Sequence, residues 1–219
     1  MANGYYPPGY FTYHAEGGAS SATDVLHWPS YYSGVTIGPG YDMKNRDESS
    51  VYIDIIACGI SKKDADIIKK GAGKKQIDAE KFVSENIGKI SKLTKAQKVA
   101  IFNMIWSKHY VPETKRIYNN LPSRIREKNI PFGNDSHKNS KEEWDKVPWD
   151  DLNNKIMDIA VDLMYQGAFS YRELKYALTK NDPEYLIKCI KTHDDLVRWD
   201  KGRQRIPYLR NLINGPSSF

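Results

Sequence analysis

Between residues 16 and 42 three carboxylates and a threonine stand close together in the chain: Glu16, Asp24, Thr36 and Asp42. Glu16 precedes Gly17-Gly18, while Thr36 and Asp42 bracket Ile37-Gly38-Pro39-Gly40-Tyr41. Cleavage of a glycosidic bond needs such groups. A protonated carboxyl gives its proton to the leaving oxygen, and an ionised carboxylate holds a water or attacks carbon. In inverting enzymes the two stand roughly 6.5–9.5 Å apart so that a water fits between them. A glutamate at the end of one element, facing a strand that carries a hydroxyl and an aspartate, would build that arrangement. The residue types also suit plain turn and cap duty, which is what most carboxylates beside glycines do.

The elements that must position these groups follow from pattern. Residues 1–10, rich in Tyr, Pro and Gly, read as an irregular lead-in, and residues 11–47 as a small β-rich piece broken by turn formers. Gly38 and Gly40 are expected to turn the backbone sharply and leave room for a sugar, with Pro39 stiffening the turn. From residue 48 the period becomes helical. Ser61 to Asp64 opens one helix that Gly71 stops, and Thr94 with Gln97 forms a capping box. Behind that box Val99, Phe102 and Trp106 share a face, which marks a central buried helix. Residues 131–146 read as a surface loop. Pro148 opens a helix striped by Trp149, Leu152, Ile156, Ile159 and Leu163 and closed by Gly167; Ser170 with Glu173, and Asp182-Pro183, start two more. The segment beyond Pro207 reads as helical. The fold class expected is α+β, predominantly α, with one domain over residues 11–219.

Glu-Gly-Gly, an aromatic-rich spacer and then Ser33-Gly-Val-Thr-Ile-Gly-Pro-Gly-Tyr-Asp-Met43 together resemble the pesticin-type muramidases, relatives of the phage-type lysozymes. The specific match covers about 30 residues near the N-terminus; elsewhere only helical character and order agree. The resemblance implies a lysozyme-like fold with a small N-terminal β lobe and a larger helical lobe flanking a cleft. It assigns Glu16 as general acid, Asp42 as the carboxylate that orients and activates water, and Thr36 as a hydroxyl holding that water. Asp24 is the alternate base, since other phage-type lysozymes keep an aspartate before the threonine, though closer to it. Pro39 departs from the aromatic often found there. The final arginine-rich segment is similar to that closing many phage-type lysozymes, so Arg203 or Arg205 is expected to support the glutamate, with His14 tuning it. Tyr41, Tyr32 and Trp28, with Gly38 and Gly40, are the expected substrate contacts; His27 and Tyr31 neighbour them as further aromatic side chains that stack on sugars or pack the lobe.

Composition sets the remaining bounds. The 219 residues are 40% hydrophobic and 27% charged, as in an ordinary folded chain. The surplus of 33 Lys+Arg over 27 Asp+Glu gives +6, a mild attraction to polyanions such as cell-wall polymers. Cys58 and Cys189 read as buried free thiols, and no side chains show metal-ligand spacing, so no metal and no cofactor are expected. Neither a signal peptide nor a membrane span is evident, which implies synthesis in the cytoplasm and no membrane insertion. No stacking platform points to nucleic acid. A muramidase made this way would act in the periplasm or cell wall of a target bacterium after delivery. The resemblance implies an antibacterial toxin with peptidoglycan as its glycan partner, a secretion apparatus or delivery domain, and a cognate immunity protein occluding the cleft. A phage endolysin or a non-catalytic glycan-binding module are the other readings.

Overall fold

The computed structural model of the chain describes residues 9–130 and 139–213. Most of the expected lead-in and the first half of the expected loop at 131–146 therefore lie outside the described residues. The rest is mostly helical with two small antiparallel sheets, an α+β fold dominated by helix. The chain divides into two compact units. One runs from Tyr13 to His109 and is called the hairpin unit below; the other joins residues 9–12 to 110–213 and is called the helical unit.

The first helix, α1 (Tyr10–Ala15), contributes residues to both units. In the hairpin unit it is followed by the strands β1 (Thr36–Ile37) and β2 (Tyr41–Asp42), then by α2 (Glu48–Ala57), α3 (Lys62–Ile68), α4 (Gln76–Asn86) and α5 (Lys95–Ile105). Local sequence explains the helix starts. Asp47 accepts from Ser50 N, Ser61 accepts from Asp64 N, and Thr94 and Gln97 form the full capping box. On α5, Ile101, Phe102, Met104, Ile105 and Trp106 are buried, so the helix expected to be central is central to this unit. Val99 is only half-buried, and Lys98, which pattern reading left unremarked, is 5% exposed. The helix continues into a π-helical turn, Trp106–Tyr110.

The expectation of a β-rich piece over residues 11–47 holds only in part. It starts with a helix and a 3-10 turn (Ser21–Asp24), and its sheet is a hairpin of two residues per strand. The bulk of that piece is loop, closed by side-chain hydrogen bonds instead of a ladder.

The helical unit contains α6 (Val111–Asn119), β3 (Arg124–Arg126), β4 (Glu143–Asp145), α7 (Asn154–Tyr165), α8 (Arg172–Thr179), α9 (Pro183–Lys191), α10 (Asp194–Arg203) and α11 (Arg205–Ile213). The second sheet, β3 with β4, was not expected: β4 lies in the stretch read as a surface loop, and strands of three residues are too short to show a period. Asp182 caps α9 by accepting from Glu184 N and Tyr185 N, with Pro183 at its first turn, as the sequence indicates. The Ser170–Glu173 box does not form. Helix α8 starts one residue later, and Ser170 Oγ instead donates to Gly167 O. Pro148 precedes a 3-10 turn rather than α7 itself, which Asn153 caps, yet all five stripe residues from Trp149 to Leu163 are buried. Helices α8, α10 and α11 pack on α9, and α11 also packs on α7.

Residues 9–12 belong to this second core. Gly9 N donates to Asp158, Thr12 Oγ1 donates to Asp162 Oδ1 (2.9 Å), and Phe11 stacks on Tyr208. Asp162, 0% exposed, also pairs with Arg203 and Arg205. Both cysteines are free and buried, Cys58 in the hairpin unit and Cys189 in the helical one. Burial pushes their thiols up, to about 11 and about 12.

Candidate active site

The hairpin gives the six-residue spacing of Thr36 and Asp42 a geometric reason. Gly38, Pro39 and Gly40 make the turn, and the antiparallel register sets Thr36 opposite Asp42 and Ile37 opposite Tyr41. Residues directly opposite in an antiparallel pair put their side chains on the same face. Thr36 and Asp42 are therefore neighbours by construction. His27 extends the pairing on the far side of β1, exchanging both backbone hydrogen bonds with Thr36 at 2.9 Å.

Asp42 is fixed through its carboxylate. Gly34 N donates to both oxygens (3.1 and 3.2 Å) and Lys44 N donates to Oδ1 (2.8 Å), with Lys44 Nζ 3.7 Å from Oδ2. The side chain keeps 28% of its surface exposed. Thr36 Oγ1 donates to Gly34 O, so Gly34 serves both residues. A Cβ at Gly34 would fall 2.6 Å from Lys44 Cβ and 2.7 Å from Asp42 Oδ1. Only glycine lets the backbone approach the carboxylate this closely. Gly34 is a site residue that pattern reading overlooked; its place two residues before the threonine was the available signal.

Glu16 sits half-buried in the turn that ends α1. That turn is closed by Gly18 N donating to Tyr13 O and by the Tyr13 hydroxyl donating to Gly18 O, both at 2.8 Å. Thr23 Oγ1 adds a bond to Gly17 O. Helix α5 supports this turn and the hairpin alike. Phe102 meets the Tyr13 ring edge-on at 5.4 Å, Lys98 Nζ donates to Ser20 O, and Ile101 lies under Gly38, within 3.1 Å of where a Cβ would stand. One stretch of one helix, residues 98–102, thus carries both halves of the candidate constellation.

The other expected residues have distinct surroundings. Asp24 is engaged by Lys98, 2.6 Å from Nζ, which makes it the counter-ion of a buried lysine. Gly38, with φ +61°, gives its space to Ile101 and not to a sugar, which corrects that expectation. Tyr41 is 0% exposed, its hydroxyl donating to Asp54 and the Arg46 guanidinium 4.4 Å above its ring. It packs the hairpin and offers no face to a ligand; burial first, and then Asp54, push its phenol well above the ordinary value. Trp28 is half-buried, with its indole N–H on Ser33 O. Tyr31 and Tyr32 form an exposed edge-to-face pair, and Tyr32 keeps 84% of its surface in solvent. His14 is exposed beside Tyr13. Arg203 and Arg205 belong to the helical unit, where both guanidinium groups are taken up by Asp162.

Sequence reasoning also passed over Arg46. Its Nε donates to Asp42 O, its guanidinium lies 3.7 Å from Asp54, and Nη1 is 3.4 Å from His109 Nε2. Among the described residues no group of three His, Cys, Asp or Glu side chains is arranged to hold a metal ion, and no helix is long and apolar enough to cross a membrane.

Over residues 9–207 the chain matches the family described as Domain of unknown function (DUF8812), and it belongs to that family. No curated protein matches it.

Proposed function

We propose that the chain is a muramidase, hydrolysing the β-1,4 bond between N-acetylmuramic acid and N-acetylglucosamine of peptidoglycan by the inverting route, on a lysozyme-like fold whose cleft holds the glycan strand. The observation that carries this reading is the register of the hairpin: Thr36 lies opposite Asp42 across a Gly-Pro-Gly turn that rests on the same helix as the Glu16 turn. In this reading Glu16 protonates the leaving oxygen. Asp42, its oxygens held by backbone N–H groups, orients the attacking water. Thr36 gives its proton to Gly34 O and keeps lone pairs to accept one from that water. Tyr31 and Tyr32 offer exposed aromatic faces to sugar rings.

A second reading, a glycan-binding module without activity, draws on one observation: the Asp42 carboxylate already has three donors around it within its own loop. The two readings part in a single experiment. A peptidoglycan suspension is treated with the protein or with Glu16→Gln, turbidity is followed, and released muropeptides are identified by mass spectrometry. Muramidase action predicts muropeptides with new reducing ends from the unaltered chain, and at least a 100-fold loss in the variant with its circular dichroism unchanged. Equal clearing by Glu16→Gln overturns the assignment of the acid. Wall binding without any release hands the case to the binding module. As to address, we propose an antibacterial effector brought to the target's cell wall by a secretion apparatus or delivery domain, with an immunity protein covering the site in the producer. A phage endolysin is the alternative carrier of the same chemistry.

A further inference from the structure

A cavity of about 120 Å³ opens in the helical unit, and its walls do not share the character of the candidate active site. Ile125 and Ile130, both buried, are among its apolar lining; Arg124 and Arg126 reach it from β3, and Arg172 and Tyr176 from α8. The charges do not balance. Glu143, on the paired strand, serves both Arg124 and Arg126. Arg172 has no carboxylate partner among the described residues; its Nε and Nη2 both donate to the Tyr176 hydroxyl (3.3 and 3.2 Å), over whose ring it lies. Three guanidinium groups and one carboxylate leave an excess of two positive charges around a small recess.

A guanidinium edge made of Nε–H and Nη2–H matches two oxygens of one oxyanion, a bidentate pairing that adds geometric specificity and energy to the charge-assisted bonds. Here the edge is spent on a single phenol oxygen. The phenol holds the side chain in place, and it still has its own proton to donate. The isoleucines keep water from one side, which strengthens charge pairing in the recess. The volume equals that of about four waters at their liquid share of roughly 30 Å³, enough for an oxyanion of four or five heavy atoms.

We propose that this recess, between β3 and the start of α8, is a binding site for a small oxyanion, a phosphate or a carboxylate group, with Arg172 as its principal ligand and Arg124, Arg126 and Tyr176 completing the shell. The site is independent of the muramidase reading and its test measures binding alone. Full-length protein is titrated with inorganic phosphate and, separately, with acetate, at an ionic strength held constant with sodium chloride, and amide and Arg Nε–H resonances of the lining residues are followed by NMR. The expected result is saturable shifts confined to the recess with at least one of the two anions. Arg172→Gln weakens that binding at least tenfold, Arg172→Lys, which keeps the charge and loses the fork, weakens it severalfold, and Arg198→Gln, 71% exposed and outside the recess, leaves it unchanged. Arg172 is exposed and makes no buried bond, so the variants fold, as their spectra will report. Linear shifts with both anions, or an affinity indifferent to Arg172, overturn the proposal.

Discussion

Asp42 and Asp162 are both carboxylates ringed by donors, one in each unit, and the difference between their rings separates an accessible carboxylate from a sealed one. Asp162 is sealed from solvent and met by two guanidinium groups and a hydroxyl from two separate stretches of chain, one at Thr12 and one at Arg203 to Arg205. Its partners come from far away in sequence and close a core. Asp42 is met by two backbone amides from within ten residues, in a loop that leaves more than a quarter of its side chain in water. A buried ion pair contributes little when formed but costs a great deal when half of it is removed, because a charge is stranded. A carboxylate fixed by local amides and open on one side keeps its oxygens within reach of a ligand at small cost to the fold.

The sharpest way to break this contrast is Asp162→Ala. It strands Arg205, which is 0% exposed and already has one guanidinium nitrogen, Nη1, without a hydrogen-bond partner among the described residues. A loss of about 3–5 kcal/mol is expected in denaturant unfolding; a loss below about 1 kcal/mol would show that Asp162 is no keystone. The next effects come from the hairpin unit. Asp24→Asn removes the counter-ion of Lys98 but leaves it an amide oxygen and the Ser20 carbonyl to donate to, and is expected to cost about 1–3 kcal/mol, the range for a buried polar group that loses a partner. Asp42→Asn keeps an acceptor for Gly34 N and Lys44 N, so stability changes by less than about 1 kcal/mol while muropeptide release falls at least 100-fold. If Asp24→Asn abolishes release with no loss of stability, the two aspartates must exchange roles.

The smallest effect lies in pH. Burial holds the His27 imidazole below its ordinary value, against a backbone bond to Val25 O that acts the other way. The unfolded chain then binds a proton more readily than the folded one. The contribution of His27 is complete above the unfolded value, about 6.5, and is lost as pH falls through and below it. His27→Asn should flatten the fall in melting temperature between pH 7 and pH 5 by a few degrees or less; an unchanged slope would remove His27 from the account.

Much of the helical framework was legible because its signals are local. The Thr94–Gln97 box, the Ser61 and Asp182 caps and the stripe from Trp149 to Leu163 depend on residues a few positions apart. The sharp turn at Gly38 to Gly40 was also legible, while the register that sets Thr36 opposite Asp42 emerges only in the folded hairpin. What stayed hidden depends on partners distant in sequence. Lys98 drew no notice in the sequence, because the Asp24 and Ser20 that hold it lie 74 and 78 positions away. Tyr41 looked like a sugar platform, yet Asp54 and Arg46 draw it inward. Arg203 and Arg205 looked like helpers of a glutamate, yet both pair with Asp162 in the other unit. Strands β3 and β4, three residues each, are too short to show a period.

Residues 9–12 meet their partners about 150 positions later: Gly9 bonds Asp158, and Thr12 bonds Asp162. The stretch from Tyr13 to His109 forms a compact unit of its own. During synthesis at about 5–20 residues per second, the earlier stretch can complete itself while the segment just before it waits roughly 8–30 s for α7 to leave the ribosome. The first residues described are therefore among the last to be secured, and a nascent chain carries its finished hairpin long before its second core can close.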